Sequence, residues 1–525
     1  MHIVNFPEFP RMLTRRLLVL VAVVLVLLPM IMGCGVRSLR RSEVRPGGIA
    51  TLPRLNTTLK AHLHDGSVLV FASWALDEPG RVVRGSGRRL DPGRQPVAGE
   101  ALAVSLDSVA LFESDELAVP GAIAAITLMG VVAGAVSVFC LTNPKACFGS
   151  CPTFYAWDGE RQALMAEGFS ASVAPALEAT DLDALDRARP REGRLVLTMT
   201  NEALETHVVR QADLLLAARS PGERVLADAG GALWTTSDWR APDGTIAAEG
   251  DCRSLLAARD GIERTSDADS SDLATRETIE LRFDQAPAGP WGLAVVARQS
   301  LLSTYIFYQT LAWMGRSAGT WLASLEGTGT GTRASAFGPG RALGAIDVQV
   351  RRSGDWVTVG EFHETGPLAW DSRLVPLPDG GDAPLRVRLR MTRGMWRLDQ
   401  VALASVRGGA EAVRVHPARV LRRGRPDAAA LAALLGEGPP LVTQPGDTLA
   451  LVYELPPAHE DAEIFLSSRG YYLEWMREQW LAEEDPARLA RLFMDPGGAL
   501  REMAPEFKRV EPGMEQAFWG SRYAR

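Results

Sequence analysis

Strict alternation of apolar and polar residues is the clearest pattern in this chain, and it predicts antiparallel β-structure. Segment 385–391 shows it best, with four apolar residues and three arginines in turn: Leu385, Val387, Leu389, Met391 and Arg386, Arg388, Arg390. A period of two places these sets on opposite faces of one strand. The arginine face either binds an anion or a sugar or is the solvated side of a sheet, and the pattern favours solvation.

Alternating segments of this kind are separated by turns rich in Gly, Pro and Asp, such as 353–355 and 378–381. The predicted fold class is therefore mainly β, with a small N-terminal β domain over 34–116 and two antiparallel β-sandwich-like modules over 145–300 and 341–469. A mixture of apolar and aromatic residues predicts a helix and a Gly-rich linker over 301–340, and a helical tail over 470–525.

Two parts of the chain share a strand pattern. Segment 278–287 matches 448–457 as T-[IL]-x-L-x-[FY]-[DE]-x-x-P, and the strand-like 293–296 corresponds to 463–466. Upstream of these, 195–200 matches 387–392, and Val209-x-Gln211-x-x-Leu214 matches Leu398-x-Gln400-x-x-Leu403. These matches favour an internal duplication, with chance similarity between alternating strands as the alternative.

A charge-free apolar stretch near the N-terminus predicts export. Arg11, Arg15 and Arg16 precede an apolar run that closes on Ile31-Met32-Gly33-Cys34. A basic start, an apolar middle and a small residue before the break are typical of a signal peptide, predicted here over 1–33. The closing tetrad resembles the lipobox of bacterial lipoproteins, which implies that Cys34 receives a diacylglyceryl group and becomes the mature N-terminus. An uncleaved anchor over 17–36 is the alternative.

A second apolar segment, 117–144, contains no charged residue and is predicted to be a transmembrane-like, membrane-associated helix. A helix over 121–141 is long enough to cross a bilayer, and Gly130 and Gly134 would let two such helices approach closely. A buried helix or strands in a soluble core are the alternative. The membrane is thus an expected partner through lipidated Cys34 and 117–144, and the bulk of the chain is expected to be periplasmic or surface-exposed in the bacterial cell envelope.

Composition excludes one class of partner and leaves disulfide bonds open. The chain has 525 residues and a net charge of −7, so it lacks the basic footprint that a nucleic-acid backbone requires. In an oxidising compartment Cys147 and Cys151 are close enough in sequence to form a disulfide bond, and Cys140 and Cys252 complete an even set. Inert thiols are the alternative.

Sequence motifs for phosphate binding, dinucleotide binding and hydrolysis are absent, and no cofactor is predicted. The best remaining set of chemistry-bearing residues is Glu202, Glu205 and His207. On a strand, Glu205 and His207 project to the same side, where they could hold a metal ion or act as a base. Polar residues at a strand edge also explain the set, and the sequence favours that explanation.

One segment resembles a group of uncharacterised bacterial envelope proteins. It carries Cys151-Pro152, the aromatic pair Phe154-Tyr155 and Asp158-Gly159, and the resemblance extends through 201–207 and into 470–475. It implies a shared β-rich envelope domain and brings no activity with it.

The sequence therefore predicts a lipid-anchored envelope protein with a non-catalytic binding or scaffolding role and another envelope protein as its partner. The alternative is a glycan-binding protein or a metal-dependent hydrolase of the envelope that uses Glu202, Glu205 and His207.

Overall fold

The computed structural model describes residues 38–44, 46–52, 58–77, 79, 81–91, 96–97, 101–118, 152–170, 172, 178–203, 205–286, 289–315, 318, 343–363, 366–378, 384–457, 461–474, 480 and 483–520. The predicted signal peptide over 1–33, Cys34, Cys147 and Cys151 lie outside the described residues. Of segment 117–144, only Leu117 and Ala118 are described, and they end a strand. Among the described residues no helix has both the length and the apolar character needed to cross a membrane. Apart from these two strand residues, the apolar helix predicted over 117–144 lies outside the described residues.

The N-terminal part of the chain forms one antiparallel sheet, sheet 1. Its seven strands are Ser38–Val44 (β1), Thr58–Leu63 (β2), Val68–Asp77 (β3), Val82–Leu90 (β4), Pro96–Val97 (β5), Ala101–Ser105 (β6) and Val109–Ala118 (β7). Their order is β1-β7-β2-β3-β4-β5, and β6 also pairs with β4. Phe71 and Phe112 are fully buried in its core. The β domain predicted over 34–116 is thus a sheet that runs on to Ala118.

The rest of the chain is also mainly β. Its strands are Thr153–Trp157 (β8), Gln162–Glu167 (β9), Ala179–Ala184 (β10), Arg194–Thr200 (β11), Glu205–Ala217 (β12), Arg224–Ala227 (β13), Leu233–Arg240 (β14), Gly244–Ile246 (β15), Arg276–Phe283 (β16), Trp291–Gln299 (β17), Ile346–Arg352 (β18), Asp355–Phe362 (β19), Asp371–Pro376 (β20), Leu385–Thr392 (β21), Trp396–Gly409 (β22), Ala412–Val415 (β23), Arg419–Arg422 (β24), Arg425–Pro426 (β25), Leu441–Thr443 (β26), Thr448–Glu454 (β27) and Glu463–Glu474 (β28). The α-helices are Arg253–Leu256 (α1), Leu302–Met314 (α2), Ala428–Leu434 (α3), Pro486–Met494 (α4) and Pro496–Gly520 (α5).

These strands form four further sheets. Sheet 2 has the order β25-β24-β27-β11-β8-β9, and sheet 3 the order β10-β28-β12-β23 with β26 also on β12. Sheet 4 has the order β13-β14-β22-β17-β20 and closes on itself through one parallel residue pair, Ala227 with Arg373. Sheet 5 has the order β15-β16-β21-β18-β19. Apolar residues of sheets 2 and 3 share one core, and those of sheets 4 and 5 share another.

Strand pairing interlaces the two predicted modules. β11 pairs with β27 and β12 with β28, whereas β16 pairs with β21 and β17 with β22. Both cores therefore combine strands from 145–300 with strands from 341–469. Strand pairing does not follow the predicted division at 301–340, and neither range forms its sheets alone.

The segments that match in sequence occupy equivalent places in this arrangement. The core of sheets 2 and 3 contains β11, β12, β27 and β28. The core of sheets 4 and 5 contains their sequence matches, in the same order β21, β22, β16 and β17. The register of β12 against β28 skips Arg210, and the register of β22 against β17 skips Asp399. A β-bulge is a specific local feature, and the sequence match aligns these two residues. The shared bulge supports the duplication.

The helices pack around this β body. α2, the helix predicted from 301, buries Ile306 and Leu311 in the core of sheets 4 and 5. α4 follows Asp485, whose carboxylate caps the first turn by accepting backbone N–H groups. α4 and α5 contact each other and α2. The predicted helical tail begins later than residue 470, because β28 continues to Glu474.

Candidate functional site

Glu205 and His207 lie on one side of β12 and form a hydrogen-bonded pair. The strand period of two brings them together, as predicted, and Nε2 of His207 lies 2.6 Å from Oε1 of Glu205. Both side chains are 0% exposed. Tyr472 lies opposite His207 on β28, with its ring roughly perpendicular to the imidazole and 6.5 Å between ring centroids. The pair is therefore shielded from solvent.

Three polar atoms around this pair have no hydrogen-bond partner within the described parts of the chain: Oε2 of Glu205, Nδ1 of His207 and Oγ1 of Thr443, the residue opposite His207 on β26. Buried polar atoms in native proteins are normally satisfied by protein or by ordered water. The pair thus has spare hydrogen-bonding capacity. A carboxylate and an imidazole at this distance can share a proton. Because neither side chain is exposed, a large substrate cannot contact them.

Glu202 does not join this pair. Its Oε1 accepts hydrogen bonds from the hydroxyls of Tyr155, at 3.0 Å, and Thr200, at 3.1 Å, both on the strands of sheet 2. Across all the residues that the structure describes, no group of three or more His, Cys, Asp or Glu side chains is placed to hold a metal ion. The structure thus brings together two of the three predicted site residues, and it does so in the protein interior.

Cys252 is a free thiol that is 2% exposed. Burial raises the pKa of this thiol, while the hydrogen bond with Thr245 opposes that shift. A buried thiol with a raised pKa is a poor nucleophile. Cys252 is therefore a free thiol in the core. Cys140, like Cys147 and Cys151, lies outside the described residues, so the predicted disulfide bond stays a prediction.

A cluster of charged side chains connects sheet 3 to sheet 4. The Asp186 carboxylate pairs with the Arg259 guanidinium and accepts the Ser372 hydroxyl at 2.9 Å. Nearby, Nε of Arg224 donates to Oε1 of Glu463 at 2.5 Å. Burial lowers the pKa of Arg259 to about 10, so this side chain still carries its charge at neutral pH. Acids and bases in this cluster neutralise one another.

Arg373 on β20 makes a second connection between these sheets. Its Nε donates to Asp371 at 2.5 Å, and its Nη2 donates to the carbonyl of Leu182 on β10 at 2.8 Å. Burial disfavours the charged guanidinium, but the charges of Asp371, Asp181 and Asp183 outweigh burial and raise its pKa. Both clusters fix the junction of the two β cores, and their charges are already matched.

An unmatched set of charges lies on the outer face of sheet 5. We call it the arginine platform: Arg351 on β18, Trp356 on β19, and Arg386 and Arg388 on β21. The alternation of β21 buries Val387 and turns the arginines outward. Within the described structure, none of the three guanidinium groups has a carboxylate oxygen within 4.0 Å.

Neighbouring side chains hold the platform in place. Nε of Arg388 donates to Oε1 of Gln349 at 2.7 Å, and its guanidinium carbon lies 4.5 Å from the centroid of the Trp356 ring. The guanidinium carbon of Arg351 lies 6.0 Å from the same ring. A cation near an aromatic face is attracted to it. The platform therefore presents guanidinium groups in restricted positions.

The rest of the same sheet face is neutralised by its own acids. Arg390, next in the alternation of β21, pairs with Asp347 at 3.2 Å, and Arg282 pairs with Asp284 at 3.1 Å. The sequence pattern identified the arginines of β21 but favoured a solvated face. It missed Gln349 and Trp356, although the turn at 353–355 is the signal that returns Trp356 beside Arg351.

Comparison with known proteins gives no identity. No family model and no curated protein matches this chain. The secreted serine protease VesC from Vibrio cholerae is 8% identical over 42% of this chain and 48% of its own, with a TM-score of 0.15. BpGH86A, a β-porphyranase of glycoside hydrolase family 86 from the human gut bacterium Bacteroides plebeius, is 8% identical over 42% of this chain and 35% of its own, with a TM-score of 0.14. The chain spans less than half the length of either structure. TM-scores this low do not support an inference about function.

Proposed function

We propose that this protein is a lipid-anchored component of the bacterial cell envelope that binds another envelope component without catalysing a reaction. The anchor rests on the sequence alone, on the signal peptide over 1–33 and on Cys34. The binding role rests on the arginine platform. Its guanidinium groups lie on an ordered sheet face, and they have no carboxylate partners among the described residues.

The electrostatic setting of the platform supports a binding role. The chain as a whole carries a net charge of −7, so the arginine platform is a local positive patch on an acidic protein. Like charges on neighbouring strands destabilise a sheet, and Arg282 lies directly opposite Arg386. Arg386 therefore faces a like charge across the strands, and a bound anion would relieve that repulsion.

A metal-dependent hydrolase is not part of this proposal. That function requires Glu202, Glu205 and His207 to meet one substrate. Glu202 is held by Tyr155 on sheet 2, while Glu205 and His207 are 0% exposed and bonded to each other. The geometry therefore favours a structural role for the buried pair.

Two measurements test the anchor and the compartment. Metabolic labelling with a radioactive fatty acid should label the wild-type protein and leave Cys34→Ser unlabelled. A protease added to cells with a permeabilised outer membrane should remove a C-terminal tag. Equal labelling of both proteins would contradict the anchor, and protection of the tag until lysis would contradict the envelope location.

Cosedimentation with isolated cell envelopes tests the binding role. We expect wild-type protein to pellet with the envelopes and Arg386→Gln/Arg388→Gln to pellet several times less. The matched control is Arg423→Gln/Arg425→Gln, which removes the same charge from two exposed arginines at the β24–β25 edge of sheet 2. Equal pelleting of all three proteins would contradict a binding role for the platform.

A further inference from the structure

We infer that the arginine platform binds an acidic polysaccharide, through carboxylate groups carried along the glycan chain. The inference rests on the proposed binding function and names the ligand class of the same site. It follows from three features of the platform: the number of unmatched charges, the way they are held, and their spacing on the sheet.

The number of charges favours a polyanion of modest charge density. Three guanidinium groups lack a carboxylate partner within the described structure. Of the acids of this face, Asp347 pairs with Arg390, while Glu280 lies opposite Arg388 on β16 without an ion pair among the described residues. Tight binding to duplex DNA requires several phosphates to be neutralised, which three arginines on a chain of net charge −7 do not provide. A glycan with one carboxylate per sugar suits the platform better.

The way the arginines are held favours carboxylate recognition. Nε of Arg388 donates to Gln349 at 2.7 Å. The two terminal nitrogens of Arg388 donate no hydrogen bond within the described residues. Those two nitrogens present parallel N–H donors, which match the two oxygens of a carboxylate. Stacking on Trp356 restricts the guanidinium before any ligand arrives, and such preorganisation lowers the entropic cost of binding.

The sheet also sets a regular spacing. Arg386 and Arg388 are alternate residues of β21, roughly 7 Å apart along the strand, and Arg351 lies on the neighbouring strand, roughly 5 Å away across the sheet. Trp356 is half-buried, so part of its ring remains open beside the charges. An aromatic surface next to guanidinium groups can contact the apolar face of a sugar while its carboxylate meets an arginine.

Affinity electrophoresis of the full-length protein in detergent tests this inference. The probes are polygalacturonate, the same polymer with its carboxylates methyl-esterified, and duplex DNA. We expect polygalacturonate to retard the wild-type protein and the esterified polymer to leave it unaffected. Arg386→Gln/Arg388→Gln should weaken binding about tenfold, because two exposed ion pairs are lost, while Arg423→Gln/Arg425→Gln should bind like the wild type.

Trp356 provides a second readout as a positioning residue. Trp356→Ala should weaken polygalacturonate binding about threefold, and Trp356→Phe should restore most of it, because a phenyl ring still attracts a guanidinium. A solvated sheet face without a ligand would show no such difference.

The outcomes separate this inference from the function it rests on. No retardation by polygalacturonate, equal retardation by the esterified polymer, or tighter platform-dependent retardation by DNA would each overturn the glycan assignment. Envelope cosedimentation that depends on Arg386 and Arg388 would in those cases still support the binding role. Conversely, a C-terminal tag protected until lysis would refute the envelope function even if polygalacturonate bound.

Discussion

Replacing Arg264 with methionine separates the contribution of a buried ion pair from that of an exposed one. Arg264 is 0% exposed and donates two hydrogen bonds to Glu277 on β16, at 2.8 and 2.9 Å, and two to Glu249, at 2.7 and 3.0 Å. Glu277 is 8% exposed, whereas the Glu249 side chain is 42% exposed. Burial disfavours the charge on Arg264, but the two carboxylates outweigh burial and raise its pKa.

The two carboxylates predict losses of different size. Arg264→Met leaves buried Glu277 with the Ser266 hydroxyl at 2.7 Å as its remaining side-chain donor in the described structure. Removing one partner of a buried ion pair lowers the free energy of unfolding by about 3–5 kcal/mol. Glu249→Gln removes an exposed carboxylate and should cost about 1 kcal/mol or less. Adding Glu277→Leu to Arg264→Met should restore part of the loss, because the uncompensated charge disappears.

Urea denaturation followed by tryptophan fluorescence measures these differences. The expected order of unfolding midpoints is wild type and Glu249→Gln highest, the double variant intermediate, and Arg264→Met lowest. A loss below about 1 kcal/mol for Arg264→Met, or a double variant less stable than Arg264→Met, would refute the assignment of a buried ion pair. The slope of the transition should stay constant, since none of these changes alters the surface exposed on unfolding.

Three further predictions concern other parts of the molecule. Gly470→Ala should lower the free energy of unfolding by about 1–3 kcal/mol, because a Cβ would clash with the carbonyl oxygen of Val208. Thermal denaturation should show little change for Gly438→Ala, where a Cβ would meet no atom within 4 Å beyond its chain neighbours. Hydrogen bonding with Arg264 lowers the pKa of Glu249 below its ordinary 4.5, so its contribution to stability should be full above pH 4.5 and fade as the pH falls through its folded-state pKa, which comparison of wild type with Glu249→Gln at several pH values checks. Cutting an engineered protease site in 327–332 should leave two fragments that elute together on gel filtration, since strand pairs such as β11 with β27 and β16 with β21 join them. Separation without denaturant would contradict the interlaced topology.

Local pattern was sufficient to predict individual elements. The alternation of 385–391 corresponds to β21, and the helix expected from 301 corresponds to α2. The turn predicted at 353–355 forms with Gly354 at a φ of +96°. Each of these features depends on neighbours within a few residues. The end of β28 was missed for the same reason, because residues 470–474 are buried on both faces and show no alternation.

Burial decided the outcome for the candidate site. The spacing of Glu205 and His207 predicted that their side chains project to one side of a strand, and the structure places them there, 2.6 Å apart. Nothing in that spacing indicates that β26 and β28 flank β12 at this point and shield both side chains. For the arginine platform the opposite happened: the charges were visible in sequence, but the residues that face them were not. Gln349 on β18 accepts a hydrogen bond from Arg388, while Glu280 on β16 lies opposite Arg388 without an ion pair in the described structure.

Strand partners lay beyond local pattern, yet the repeat contained information about them. The eight matched segments of the chain form four antiparallel strand pairs, and each pair joins the first copy to the second. A duplication whose copies folded separately would pair β11 with β16; here β11 pairs with β27 and β16 with β21. The arginine platform shows the consequence. Its arginines lie on strands of the second copy, while Ile279 and Leu281 beneath them belong to β16 of the first. The proposed binding face is thus a product of both copies, and neither half of the chain can build it alone.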